Sequence, residues 1–143
     1  MNTLDMSVGF LLNRAARSMK RGLESRLVTY GLTSTQYIVL ALLAKKDGLS
    51  QSQLGSHLYF DNPTVTGVID RMERDGLVER RRTSGDRRVI NIFLCDKARK
   101  ILAEVATVAD DLDREAMKEY SRKEQSDLIR MLNTIWEKMN GVS

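Results

Sequence analysis

Apolar residues in the first thirty positions fall at Val8, Leu11, Leu12, Ala15, Met19, Leu23 and Leu27. Gaps of three and four keep them on one helical stripe, so the pattern predicts an amphipathic helix over about residues 6–29, stopped by Gly31. Polar positions then almost vanish. The run "YIVLALLA" implies a second helix buried on most sides, opened by a capping box of Thr33 with Gln36 and closed by "KKDG". Ser50 with Gln53 repeats the capping box and opens a short third helix ending near Leu58, with "YFDN" as a tight connection. The segment "NPTVTGVIDRMERDG" is sharply delimited: Asn62 suits an N-cap, Pro63 the first helical position, and Gly76 the left-handed residue that ends a helix. A turn of about 100° per residue puts Val65, Val68, Ile69 and Met72 on one stripe. Pro63, Thr64, Gly67, Asp70, Arg71 and Arg74 take the opposite arc, with Thr66 at its border.

The period then changes to two. Residues 77–83 and 89–94, joined by "SGDRR", predict an antiparallel hairpin with Ile90, Ile92 and Leu94 on its buried face. From Asp96 the helical pattern returns as one long helix with the stripe Ala98, Ile101, Leu102, Val105, Ala109, Leu112 and Ala116. A third capping box, Ser121 with Glu124, opens a last helix carrying Leu128, Met131, Leu132, Ile135 and Met139. The expected fold is mainly α with a small β wing. A short helix, a tight turn, a capped helix and a hairpin in succession form a winged helix-turn-helix.

Charge sharpens this picture through its placement. The net charge is +4, yet residues 96–143 hold nine Lys and Arg against ten Asp and Glu, whereas residues 1–30 and 78–90 each hold five against two. A local excess suits a defined face offered to a polyanion rather than a charged tail. The stretch "RRRTSGDRRVINIFL" sets five arginines around one turn, a crowding that costs stability unless negative charge lies opposite. With a helix in the major groove, the adjoining hairpin lies beside the phosphates and its tip reaches the minor groove. Arginine is favoured there for its length, permanent charge and planar fork. Double-stranded DNA is the expected partner. The plainer readings are a solvated turn for the arginines, simple capping for Thr64 and Thr66, and an i, i+4 pair with Asp70 for Arg74.

The stretches "LTSTQYIVL", "TVTGVIDRMERDGLVERR" and "DRRVINIFL" resemble the MarR family of bacterial transcription regulators. The family's Asp-x-Arg-x-x-x-Ile/Leu wing signature is present as Asp86, Arg88 and Ile92, within a resemblance running over roughly residues 8–140. The resemblance implies a homodimer, most often a repressor, on a pseudo-palindromic operator with half-sites about one DNA turn apart. It makes Arg88 the minor-groove arginine and Asp86 its orienting partner. Thr64 and Thr66 fall at the base-reading start of the recognition helix and Arg71 faces the backbone; Asn62, Pro63, Gly67, Arg74 and Arg87 complete the expected DNA-binding set. It also implies a small aromatic or anionic effector between the dimer helices and the winged domain. Asn13 and Arg17, one turn apart, and Tyr37 are the candidate lining, with an ordinary helix surface and a core tyrosine as the equal alternative. Two departures stand out: Gly67 replaces an arginine common on the exposed arc, and Cys95 replaces a threonine, leaving the next helix a weaker N-cap.

Dimerisation also has an argument from the residues alone. The first and last two helices carry more apolar stripe than the domain of about 65 residues between them covers. Residues 1–31 and 96–143 are thus expected to form a helical dimerisation region around a DNA-binding domain at residues 32–95. No phosphate-binding glycine loop, metal cluster or nucleophile–base pair suggests an enzyme, a cofactor or a metal. His57 is the sole histidine, the acids Asp110, Asp111 and Asp113 should fan around a helix, and Cys95 reads as structural. The longest apolar run, residues 37–44, falls far short of the roughly 20 residues needed to cross a bilayer. "MNTLDMSVGF" lacks the features of a secretory signal, and one cysteine forms no internal disulfide, so the expected location is the cytoplasm. The alternative function is a winged-helix protein-assembly module that does not read DNA; a polar wing would favour it, and this wing is basic.

Overall fold

The computed structural model describes residues 3–141. Its elements run α1 (Val8–Leu27), α2 (Ser34–Lys45), α3 (Gln51–Leu58), α4 (Asn62–Arg74), β1 (Val78–Arg81), β2 (Asn91–Leu94), α5 (Asp96–Val105), α6 (Val108–Met117) and α7 (Arg122–Met139). The described residues divide into two compact units, one running to Val108 and the other starting at Ala109. No single helix among the described residues is long and apolar enough to cross a membrane.

All three predicted capping boxes are closed by both of their hydrogen bonds. Thr33 Oγ1 accepts from the Gln36 N–H and Gln36 Oε1 from the Thr33 N–H, each at 3.1 Å. The corresponding pairs are 3.0 and 2.8 Å for Ser50 with Gln53, and 3.1 and 2.9 Å for Ser121 with Glu124. The first helix ends two residues early because a single 3-10 turn, Val28–Tyr30, tightens the chain before Gly31 takes its left-handed conformation at φ 70°.

The sequence pattern is corrected at three places. The N-cap of α4 is Asp61, one residue ahead of Asn62; its carboxylate accepts the Thr64 N–H at 2.8 Å, a stronger acceptor than an amide facing the positive end of a helix. Helix α2 is less completely buried than its apolar run implies: Val39, Leu40 and Leu43 are inaccessible and Tyr37, Ala41 and Leu42 are half-buried, but Ile38 is 43% exposed. The long helix expected after the hairpin is broken at Ala106 and Thr107 into α5 and α6, where the stripe passes through Val105 and Val108. Neither Gly nor Pro marks that break, so periodicity alone runs straight across it.

In the first unit, Leu27, Val39, Leu40, Leu43 and Leu54 pack with Val65, Ile69 and Met72 of α4 and with Val78, Ile92 and Val105. The hairpin pairs Val78 with Leu94 through Arg81 with Asn91. Ile92 and Leu94 are buried and Ile90 packs partly against the core, the face expected from alternation. The link between α2 and α3 supplies a third edge. Ile92 N–H donates to Leu49 O and Gly48 N–H to Ile92 O, both at 2.9 Å, and Gln51 N–H donates to Ile90 O at 2.9 Å. Asp47 Oδ1 accepts the Leu94 N–H at 2.9 Å. The wing base is thereby pinned to the helix-turn-helix.

Helices α3 and α4 approach closely at Gly55. A Cβ there would lie 3.2 Å from Phe60 O and 3.2 Å from Val65 Cγ2. Gly55→Val is expected to lower stability by about 1–3 kcal/mol, read as a lower urea midpoint with an unchanged slope. In the second unit, no residue of α6 or α7 is buried. Helix α7 exposes Leu128, Ile129, Met131, Leu132, Ile135, Trp136 and Met139.

Candidate nucleic-acid interface

Helix α4 buries Val65, Val68, Ile69 and Met72, the stripe read from its spacing. Asn62, Pro63, Thr64, Asp70, Arg71 and Arg74 are exposed on the other side, with Thr66 and Gly67 half-buried. The Thr64 hydroxyl first, and the Thr64 N–H second, hold the Asp61 carboxyl below the usual carboxylate range. A depressed folded pKa keeps this cap charged down through mildly acidic pH, and it is lost only as pH falls through that lowered value. Arg74 does not pair with Asp70: Arg80 takes that carboxylate at 2.8 Å, and Arg74 Nε lies 3.9 Å from Asp75 Oδ1. Nothing lies within 4 Å of a Cβ built on Gly67. Gly67→Ala is therefore expected to raise stability by roughly 0.5–1 kcal/mol, measured as a higher thermal midpoint, because it removes backbone freedom from the unfolded chain without a clash.

The wing differs from the expected five-arginine tip. Its strands stop at Arg81 and Asn91, leaving residues 82–90 as the connection. Arg80 folds back onto α4. Arg81 pairs with Glu79 and covers the Phe93 ring with its guanidinium 4.4 Å from the centroid. Part of the negative charge expected opposite these arginines thus comes from the chain itself, at Asp70, Glu73, Glu79 and Asp86. Arg82 Nη1 donates to the Arg87 carbonyl at 2.8 Å and braces the turn.

Arg88 stands at the tip with its side chain 90% exposed, yet it is held. Its Nε donates to Asp86 Oδ1 at 3.1 Å and its Nη2 to Asp86 Oδ2 at 3.0 Å, while its backbone N–H donates to Asp86 Oδ1 at 2.9 Å. Asp86 is held below the usual carboxylate range by the Arg88 side chain and then by its N–H, and the Arg88 pKa is raised in turn. The clamp therefore persists as pH falls through the ordinary carboxylate range and opens only below it. The side chains of Arg71 and Arg87 make no hydrogen bond or ion pair among the described residues and remain exposed.

A groove of about 310 Å³ lies between the start of α2 and α4, lined by Thr33, Thr35, Gln36, Phe60, Thr64, Val68 and Arg71. The three candidate effector residues do not line it. Asn13 and Arg17 are exposed on α1, and Tyr37 is half-buried against the core. Cys95 occupies the N-cap of α5 without a side-chain capping bond. Burial, then Glu79 and Asp96, push its thiol up, which disfavours the thiolate. His57 is exposed on α3, and Asp111 pairs with Arg114 along α6. No group of three or more His, Cys, Asp or Glu able to hold a metal ion occurs among the described residues.

The MarR family model matches residues 32–90, which run from the start of α2 through the tip of the wing. The HTH-type transcriptional regulator TtmR of Methylorubrum extorquens is 39% identical over 97 residues, 68% of this chain and 50% of that protein. The chain belongs to the MarR family. The organic hydroperoxide resistance transcriptional regulator of Bacillus subtilis is 33% identical over 93 residues, 65% of this chain and 63% of that protein. The chain thus spans about half to two thirds of these curated MarR-family relatives. The likeness in fold extends further: the S. aureus MepR–DNA complex superposes with a TM-score of 0.85 over 92% of this chain and 98% of that one, at 22% identity. The MarR wing signature residues Asp86, Arg88 and Ile92 divide between the exposed clamp and the buried face of β2.

Three residues of this region escape a reading by periodicity. Asp61 lies one position before Asn62 and carries the same capping signal. Gln51 and Arg80 touch α4 through the fold rather than through neighbouring sequence. Their only trace was the pair of acids, Asp70 and Glu73, on a helix otherwise suited to a polyanion.

Proposed function

We propose that this chain is a sequence-specific double-stranded DNA-binding transcription regulator acting as a homodimer, in the repressor mode, on a pseudo-palindromic operator. The observation that carries this reading is Arg88, fully charged, 90% exposed and oriented by a bidentate carboxylate at the tip of a wing beside an exposed helix face. A guanidinium presented in this way suits a narrow, negative minor groove. Thr64, Thr66 and the backbone at Gly67 would face base edges in the major groove, with Asn62 and Pro63 at the entry of the helix. Arg71, Arg74 and Arg87 would meet phosphates.

Helices α1, α6 and α7 would form the homodimer, because α7 carries an apolar face that nothing buries. A two-fold dimer sets two copies of α4 against half-sites one DNA turn apart. A small aromatic or anionic effector meeting Asn13, Arg17 and Tyr37 would tune that spacing, in a protein of the cytoplasm.

The test is selection of duplexes from a random pool by purified protein at a fixed salt concentration. The expected result is an enriched inverted repeat with half-site centres about 10 base pairs apart. With about 6 to 10 phosphates neutralised per dimer, log affinity for that repeat should fall against log salt with a slope near −5 to −9. No enrichment by a folded dimer, or a slope near zero, would transfer the assignment to a protein-assembly module.

A further inference from the structure

Arg80 departs from its basic neighbours in the wing. Its side chain is only 20% exposed and lies against α4, where Nη1 meets Asp70 Oδ1 at 2.8 Å and Glu73 Oε1 at 3.0 Å. Nη2 donates to the Thr66 carbonyl at 3.4 Å, Nε donates to Gln51 Oε1 at 3.4 Å, and the Arg80 backbone N–H donates to Glu73 Oε2 at 3.1 Å. Gln51 completes the network by donating from Nε2 to Thr66 Oγ1 at 2.7 Å. One guanidinium therefore joins the first strand of the wing to the start of α3 and to three points of α4. Thr66, Asp70 and Glu73 are spaced i, i+4, i+7, so they form a single line along α4 that faces the wing.

We infer that Arg80 is a positioning residue for sequence readout: it sets the rotation of α4 about its own axis against the wing and, through Gln51, aims the Thr66 hydroxyl. The inference rests on the DNA-reading function proposed above. Two arguments support it over the obvious alternative, a phosphate contact. Arg80 is mostly covered, and its donors are already directed at acceptors from two helices, so little remains to offer a phosphate. A planar fork of fixed donors also transmits orientation, which a point charge does not. Asp70 and Glu73 would oppose DNA approach if they acted as bare charges; as acceptors for Arg80 they hold the reading face in register with the clamp at Asp86 and Arg88.

The charge-conserving variant Arg80→Lys separates orientation from charge. Two probes are needed: a duplex enriched from the random pool by the wild-type protein, and a shuffled duplex of the same length and composition. In Arg80→Lys the preference for the enriched duplex over the shuffled one is expected to fall about tenfold or more, with affinity for the shuffled duplex and its salt slope unchanged. A wild-type preference in this variant overturns the inference, as does an equal loss on both probes. A purely structural role would shift the urea midpoint and leave the preference intact, which also counts against it.

The double variant Asp70→Asn, Glu73→Gln supplies an independent decision should the lysine variant not fold. Both acids are substantially exposed, with side chains 60% and 41% accessible. Removing two negative charges would by charge alone tighten binding to both duplexes equally, and that result refutes the inference. A reduced preference for the enriched duplex, despite the added net positive charge, is the expected outcome. Failure of the wild-type protein to enrich any duplex would remove the DNA-reading function itself, and that result appears before any variant is made.

Discussion

Arg88→Ala is expected to weaken binding to a selected operator duplex by at least about a hundredfold while leaving the thermal midpoint almost unchanged. A charge-assisted contact is worth about 1.5–3 kcal/mol, and a dimer loses two of them, so the lower bound is about 3 kcal/mol at 1.4 kcal/mol per factor of ten. Stability should hardly respond because the side chain is 90% exposed and its partner, Asp86, is exposed with it. Asp86→Ala tests the clamp separately. It keeps the arginine and its charge but releases the orientation, so it should weaken binding less than Arg88→Ala and loosen discrimination within the wing-contacted bases. Titration of both variants into the same duplex at one salt concentration measures the difference. Unchanged affinity in a folded Arg88→Ala protein would end the minor-groove assignment.

The second large effect is expected from α7. Replacing both Leu132 and Ile135 by aspartate puts two unpaired charges per protomer into the face proposed to meet a second copy. Burying each without a partner costs several kcal/mol, so the dimer should dissociate at micromolar concentration in sedimentation or light scattering. The protomer should still fold, because no residue of α7 belongs to a buried core and its capping box is intact. Operator affinity should fall more than about a hundredfold, since each protomer then holds one half-site and the second is no longer at high effective concentration. A dimer that survives both charges would move the interface elsewhere on the chain.

Much of the fold was legible because it is written in local chemistry. Each capping box closes within four residues, so Thr33 with Gln36, Ser50 with Gln53 and Ser121 with Glu124 state helix starts that need no tertiary information. The stripe of α4 and the alternation of β2 are equally local, since each follows from the repeat of its element. The misses came where two local signals compete or where the fold decides. Asp61 and Asn62 are both good caps, and the better acceptor for the Thr64 N–H won. The break at Ala106 and Thr107 lies in a run of helix-compatible residues whose periodicity continues across it. Arg88 and its partner Asp86 are marked by the wing signature, whereas the bracing of Arg80 by Asp70 and Glu73 and of Arg81 by Glu79 is decided by the fold. Asp70 and Glu73 lie on a different element from Arg80, and such a pairing has no periodic signature.

The single thiol offers an experimental handle. Cys95 is partly covered, and its thiolate is disfavoured by burial and by the carboxylates of Glu79 and Asp96. A maleimide dye at neutral pH should therefore react slowly with the native protein and quickly with a cysteine introduced at an open position. Gly85 provides one at the wing tip: a Cβ there meets nothing within 4 Å, and its backbone does not require glycine. Gly85→Cys would carry a fluorophore beside the Arg88 clamp without first deleting the native cysteine, and so test in real time the proposed entry of the wing into a DNA groove.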